Sequence, residues 1–242
     1  VCENFFYRRL LAATGYFQPG LERGLDPYAR QKQLGLETSR GPFGLLAARL
    51  EHLRRQPLAD VIAEALETNL WGNRADLSLW PAGAEGTLAN DRLRQAEEFL
   101  LVNEIPRLSA FLTALRGGRI DILIDNAGFE LGCDLALADL LLSSGTALEV
   151  RFHLKYHPTF VSDALVEDTR KTALFFGDLP EPAARDFGRR LVEWLDNGKL
   201  VLRKHLFWNS PLPGWQMPAD LRQEIGAADL AISKGDANFR RL

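Results

Sequence analysis

The sequence predicts an α/β fold: a mostly parallel sheet covered on both faces, preceded by a mainly helical region. Three observations support it. From residue 119 onward, short apolar runs alternate with stretches of helical spacing, the pattern of strand-helix-strand units. Before about residue 115 the apolar residues recur at helical intervals instead. Polar, Gly-broken loops then follow each of four successive apolar runs, at the strand end where open α/β sheets place their ligands.

The first region, residues 1–116, opens with "ENFFYRRLLAA", which reads as a helix already under way. The chain starts at Val1 and stops at "NFRRL" without a closing element, so a fragment lacking its C-terminal end is expected. Phe43 to Gln56 and Leu58 to Leu70 each carry helical spacing, separated by Pro57, a residue suited to a first helical turn. Arg92 to Arg116 is a further helical stretch, interrupted by Pro106. Between them lies "WGNRADLSLWPAG", a polar loop with two tryptophans.

The second region, residues 117–242, carries the α/β pattern. Strands are expected near 119–125, 147–153, 199–203 and 228–232. Helices are expected near 134–143, 163–175, 181–196 and 218–226. The segment "RIDILIDNAGFELGCDLALADLLL" places Asp125 and Asn126 directly after the first buried run, where neither helps packing. "HLKYHPTFVSD" follows the second strand and ends in Asp163 at an expected helix start. "HLFWNSPLPGW" and "SKGDANFRRL" follow the third and fourth.

Composition narrows the function. The 242 residues are 46% apolar and 25% charged, an ordinary globular balance. The net charge of −3 offers no basic field to nucleic acid or to an acidic membrane surface. No apolar run approaches the roughly 20 residues of a membrane helix. Cys2 and Cys133 lie far apart, and with no signal-type segment a reducing, cytoplasmic setting without disulfides is expected.

Several familiar motifs fail on inspection. "IDNAG" resembles a short-chain dehydrogenase signature, but no G-x-G-x-x-G precedes it, and the Tyr28/Lys32 pair lies on the wrong side. The Asp-x-Asp of haloacid-dehalogenase phosphatases is not met, because Asn126 and Ala127 follow Asp125. A Walker loop is absent. His52, His153, His157 and His205 show no zinc spacing, and Cys133 stands alone.

Oxygen ligands remain. Asp125, Asn126 and Asp163 offer two carboxylates and a carboxamide, suited to a hard ion such as Mg²⁺ or Mn²⁺. For Asp125-Asn126 taken alone an Asx-type turn is the favoured reading, and for Asp163 a helix N-cap is the common one; both are compatible with metal binding. Lys234, Asn238 and Arg240 supply donors beside Gly235, which lets the backbone approach closely, as anion sites require. A solvated basic end is the plainer reading of that segment.

"WGNRADLS", "LIDNAGFEL", "HLKYHPTFVSD" and "ISKGDANFRRL", in this order, resemble the damage-control phosphatase family. Its members are metal-dependent sugar-phosphate phosphatases, some also described as protein-glutamate methyltransferases. The resemblance covers nearly the whole chain and implies a three-layer α/β/α sandwich with a helical region packed on it. It places metal ligands at Asp125, Asn126 and Asp163, substrate contacts from Asp236 to Arg240, and an acidic site residue at Glu130. The implied ion is Mn²⁺ first, with Co²⁺, Ni²⁺ or Mg²⁺ as substitutes. The sugar-phosphate branch usually has more helix before this start and an Arg-Thr-x-Lys motif beyond this end.

The expected function is hydrolysis of a phosphate monoester on a small sugar or related metabolite. The metal stabilises charge on the phosphoryl group, Lys234 and Arg240 neutralise other oxygens, and Asn73 and Asp76 shape the pocket. A water activated by the metal suits the role of nucleophile better than Asp125, whose carboxylate already holds the ion. The alternatives are an S-adenosylmethionine-dependent carboxyl methyltransferase, for which only Gly128 and Gly132 stand near the first strand, and an inactive truncated binding module. Only the phosphatase needs a divalent ion.

Overall fold

Alternation along the first strand sets the architecture. Ile120, Ile122 and Ile124 are fully buried in the main apolar cluster, whereas Leu123 belongs to a second, smaller one. The strand therefore has helices on both sides. The computed structural model describes residues 2–72 and 100–241. Within them four strands, β1 (Gly118–Leu123), β2 (Ala147–Leu154), β3 (Leu200–Lys204) and β4 (Leu230–Ser233), form one sheet. Its order is β3-β2-β1-β4, and every pairing is parallel.

That order has one reversal. The chain steps from β1 to β2 to β3 in one direction, then returns to the other side of β1. Parallel crossovers keep one hand, so the return path crosses the opposite face. Helices α6 (Phe129–Ser143), α7 (Val166–Gly177) and α8 (Pro182–Asp196) supply residues of the main cluster. Helix α9 (Ala219–Gly226) instead places Leu221 with Leu123, Phe207 and Trp208 in the second. The result is a three-layer α/β/α sandwich with one thick and one thin helical layer.

The thick layer is thick because of α6. All its residues from Glu130 to Leu142 are buried, so it lies between the sheet and a further layer of helices. Helices α3 (Arg40–Leu53) and α4 (Leu58–Trp71) pack on its outer side, and α5 (Ile105–Ala114) packs on α4. Helices α1 (Cys2–Ala13) and α2 (Ala29–Thr38) precede them. Asp139, fully buried on α6, fastens the layers. It accepts from Arg54 beyond α3 at 2.6 Å, from Arg190 on α8 at 3.0 Å and from the Trp194 indole at 2.9 Å. Helices α7 and α8 cross so closely at Gly188 that a Cβ there would collide with the backbone of Gly177.

The thin layer covers a polar sheet face. Asp121, wholly buried, accepts from Arg119 at 3.0 Å and lies 2.9 Å from His153 Nε2 on β2. Arg151 and Arg203 both reach Glu224 on α9.

Some boundaries differ from the sequence expectation. Helix α5 begins at Ile105 with Pro106 in its first turn, whereas helix was expected from residue 92; residues 92–99 lie outside those described. Pro106 starts the helix because a first-turn residue needs no intrahelical donor. Helix α6 begins at Phe129, five residues before the expected start at 134. Helix α7 begins at Val166 with Asp168 bonded back to the Leu165 amide at 2.9 Å, so Asp163 is not its cap. Asp163 instead forms an isolated antiparallel bridge with Asn126.

Candidate active site

The reversal in strand order lies between β1 and β4, and the carboxyl ends of those strands meet there. Beyond β1, the Asp125 carbonyl accepts from Ala164 N at 2.8 Å, and Ala127 N donates to Ser162 O at 2.7 Å. The segment after β2 is thereby laced to the segment after β1. Lys155 N donates to Ala164 O at 3.2 Å and completes the lacing.

The loop from Lys155 to Asp163 is held in strained backbone. Phe160 and Val161 have φ of 48° and 66°. Ser162 N donates to Phe160 O at 2.7 Å, closing a γ-turn of the uncommon hand around Val161. A β-branched residue at such a φ costs on the order of 1–3 kcal/mol. The surroundings hold it: the ring of Tyr7 of α1 packs at a tilt against Phe160 at 5.1 Å, and Phe17 meets His157 edge-on at 5.6 Å. Part of the helical region thus buttresses the loop that delivers Asp163.

The side chains form an acid cluster. Asn126 donates through Nδ2 to Asp125 at 2.9 Å and to Glu130 at 3.0 Å, while its Oδ1 accepts from Ser162 at 2.7 Å. Its amide is therefore not used in an Asx turn. Glu130 stands in the first turn of α6, and Asp134 one turn further on. The Lys234 ammonium lies 2.6 Å from Asp134 Oδ1 and 3.4 Å from Glu130. Asn69, at the end of α4, also donates to Asp134 at 2.6 Å. Lys155, 1% exposed, places Nζ 3.0 Å from Asp163 Oδ2 and 4.0 Å from Asp125 Oδ1.

Gly235 is required where it stands. Its φ is +85°, and a Cβ built on it would overlap the Asp125 carboxyl. The turn after β4 thus runs directly over Asp125. Asn238, buried, donates to the Lys234 carbonyl at 2.8 Å and holds that turn from within. Arg240 is exposed, ion-paired with Asp236 and 3.8 Å from Glu3 of α1. The structure therefore gathers Asp125, Asn126, Glu130, Asp163 and Lys234, and leaves Asp236 and Arg240 as a solvent-exposed pair. Asn73 and Asp76 lie outside the described residues.

The cluster is short of positive charge. Among the described residues, Asp125, Glu130, Asp134 and Asp163 make ion pairs within 4.0 Å with two ammonium groups, those of Lys155 and Lys234, while Lys32 and Arg241 act on Asp163 from farther off. Burial accordingly pushes the carboxyl of Asp125 up to about 6, against the opposing pull of Lys155. Burial likewise raises Asp134 to about 6 and raises Asp163. Asp163 Oδ2 is buried without an aligned hydrogen bond. Among the described residues, no three His, Cys, Asp or Glu side chains gather in metal-holding geometry. The donor set is two carboxylates and a carboxamide. It fits a hard divalent ion because the buried acid is in surplus, and Asp163 Oδ2 is met by the Lys155 ammonium without an aligned hydrogen bond.

Lys155, Asp134 and Asn69 were not singled out in the sequence. Lys155 sits inside a quoted motif but resembles any loop lysine. Asn69 continues the helical spacing of buried Ile62, Ala65 and Leu66, and Asp134 sits among buried apolar residues; that is the available signal, since such polar residues must be satisfied internally.

The acid cluster lies at the switch point of a doubly wound sheet, the place where open α/β sheets bind their ligands. The chain belongs to the damage-control phosphatase family: the family model described as "Damage-control phosphatase ARMT1-like domain" matches residues 1–242. Among curated relatives, Damage-control phosphatase ARMT1 of Mus musculus is 32% identical over 257 residues, covering 99% of this chain and 58% of that protein. The Homo sapiens protein of that name is 35% identical over 207 residues, covering 80% and 46%. The chain thus spans about half the length of these relatives. In fold it is similar to a DUF89-family protein from Pyrococcus horikoshii. The TM-score is 0.54 at 21% identity, over 90% of this chain and 63% of that one.

Proposed function

We propose that this chain carries the core of a divalent-metal-dependent phosphatase acting on phosphate monoesters of small sugars or related metabolites. The observation that carries the proposal is the buried, cation-short acid cluster at the β1/β4 switch point. The name of the family supports a phosphatase over methyl transfer to a carboxylate. Asp125, Asn126 and Asp163 would hold the ion, with Mn²⁺ preferred and Co²⁺, Ni²⁺ or Mg²⁺ as substitutes. When bound, the ion supplies a positive charge against the phosphoryl oxygens as the P–O bond breaks.

The chain's own residues prepare that place. Without an ion, Asp125 and Glu130 share the Asn126 Nδ2 donor; to ligate, Asn126 would give up these bonds and turn its Oδ1 toward the ion. Gly235 brings the turn after β4 close enough for a small substrate to touch both strand ends. Lys234 is the phosphate-facing cation, with the donor that Asp134 and Glu130 leave over, since an ammonium has three. Asp236, Arg240 and, from the tryptophan loop, Asn73 and Asp76 complete the proposed substrate surface, with buried Asn238 holding the turn beneath it. The free thiols of Cys2 and Cys133 agree with a cytoplasmic setting.

A screen over phosphorylated metabolites, with EDTA and with added Mn²⁺, tests the reading. Phosphate release that requires Mn²⁺ and stops with EDTA is expected. Methyl transfer from S-adenosylmethionine that persists in EDTA, without phosphate release, would replace it.

A further inference from the structure

The two lysines of the site, Lys155 buried and Lys234 partly buried, are held differently. Lys234 lies 2.6 Å from Asp134 in an aligned hydrogen bond, which ties β4 to α6. Lys155 lies 3.0 Å from Asp163 and 4.0 Å from Asp125, yet its Nζ makes no aligned hydrogen bond, and neither does the Asp163 oxygen it faces. A buried ammonium between two carboxylates without directional bonds neutralises charge without being locked to either partner.

We propose that Lys155 is a built-in, displaceable counter-ion: its ammonium shares the Asp125 and Asp163 carboxylates when no divalent ion is bound, and gives them up to the ion. This inference rests on the metal reading above and assigns the site a residue that does not ligate. The reason is one of cost. Two buried carboxylates with no cation would strongly oppose folding. Lys155 follows directly on β2, and its backbone N–H donates to Ala164 O, which anchors the start of the side chain. The same ammonium opposes an arriving dication, because like charges a few ångströms apart repel strongly in a buried setting. Lys155 is thus a positioning residue that keeps the two ligands together and lowers metal affinity.

The test compares wild type, Lys155→Met, Lys155→Arg and the double variant Lys155→Met/Asp163→Asn by thermal unfolding in EDTA and in saturating Mn²⁺, with Mn²⁺ affinity from calorimetry. In EDTA, Lys155→Met should lose several degrees of Tm, Lys155→Arg should lose less, and the double variant should recover most of the loss. Mn²⁺ should raise the Tm of Lys155→Met by more than it raises wild type, and bind it at least as tightly. If Lys155→Met alone does not fold, folding of the double variant is the expected rescue. A double variant no more stable than Lys155→Met, or a tenfold or greater loss of Mn²⁺ affinity in Lys155→Met, overturns the proposal. Failure of wild type to bind Mn²⁺ sinks the metal reading instead, and the comparison in EDTA still reads the counter-ion role.

Discussion

Asp163 shows how a residue acquires its meaning from neighbours that are distant in sequence. As a helix cap it would contribute about 1 kcal/mol. Buried against Lys155 it contributes more, since removing one partner of a buried pair costs about 3–5 kcal/mol. Asp125 takes up part of that loss. Asp163→Ala is therefore expected to lower stability in EDTA by clearly more than the loss of a cap, as urea denaturation would show. Gly235 gives a second prediction at this scale. In Gly235→Ala the new methyl collides with the Asp125 carboxyl at a φ that disfavours side chains. Mn²⁺ affinity should fall by more than tenfold, while far-UV circular dichroism shows the sheet and helices retained. Asp125 and Gly235 were both legible in the sequence as candidates. Their contact was not, because it joins the ends of two strands more than a hundred residues apart.

At the scale of elements, periodicity located every strand to within two residues at its start, because each strand is a short apolar run bounded by Gly or polar residues. It served less well for α6. That helix is buried on all sides, so it shows no polar face, and its first turn follows Gly128 without a side-chain cap. Glu130 and Asp134 therefore belong to one helix face whose extent the pattern did not reveal. Their burial makes a pH prediction. Asp134 binds its proton more tightly folded than unfolded, with a pKa raised to about 6 from 3.8. A raised carboxyl stabilises the fold at low pH, and that stability drains away as pH rises through the folded value. Metal-free wild type should lose stability as pH rises from about 4 to 7. Asp134→Asn should show a shallower slope over the same interval in urea denaturation. An unchanged slope would assign the pH dependence to other groups.

For the whole molecule, the parallel sheet, and with it the end where the candidate site gathers, followed from the alternation of strands and helices. The strand order did not, since β3-β2-β1-β4 depends on which crossover reverses, and nothing local to β4 announces that it pairs with β1. That one reversal brings "DNAG" and "SKGD" together. The N-terminal helices were legible as helices, but their task was not. They bury α6 and, through Tyr7 and Phe17, brace the strained loop that carries Asp163. The central claim is that this assembly makes one divalent-ion site from Asp125, Asn126 and Asp163. Calorimetric titration of Mn²⁺ into wild type and into Asp163→Asn tests it most directly. The account predicts a single site per chain in wild type that is lost or weakened at least a hundredfold in the variant. Equal binding by the two proteins, or no binding by wild type, would contradict it.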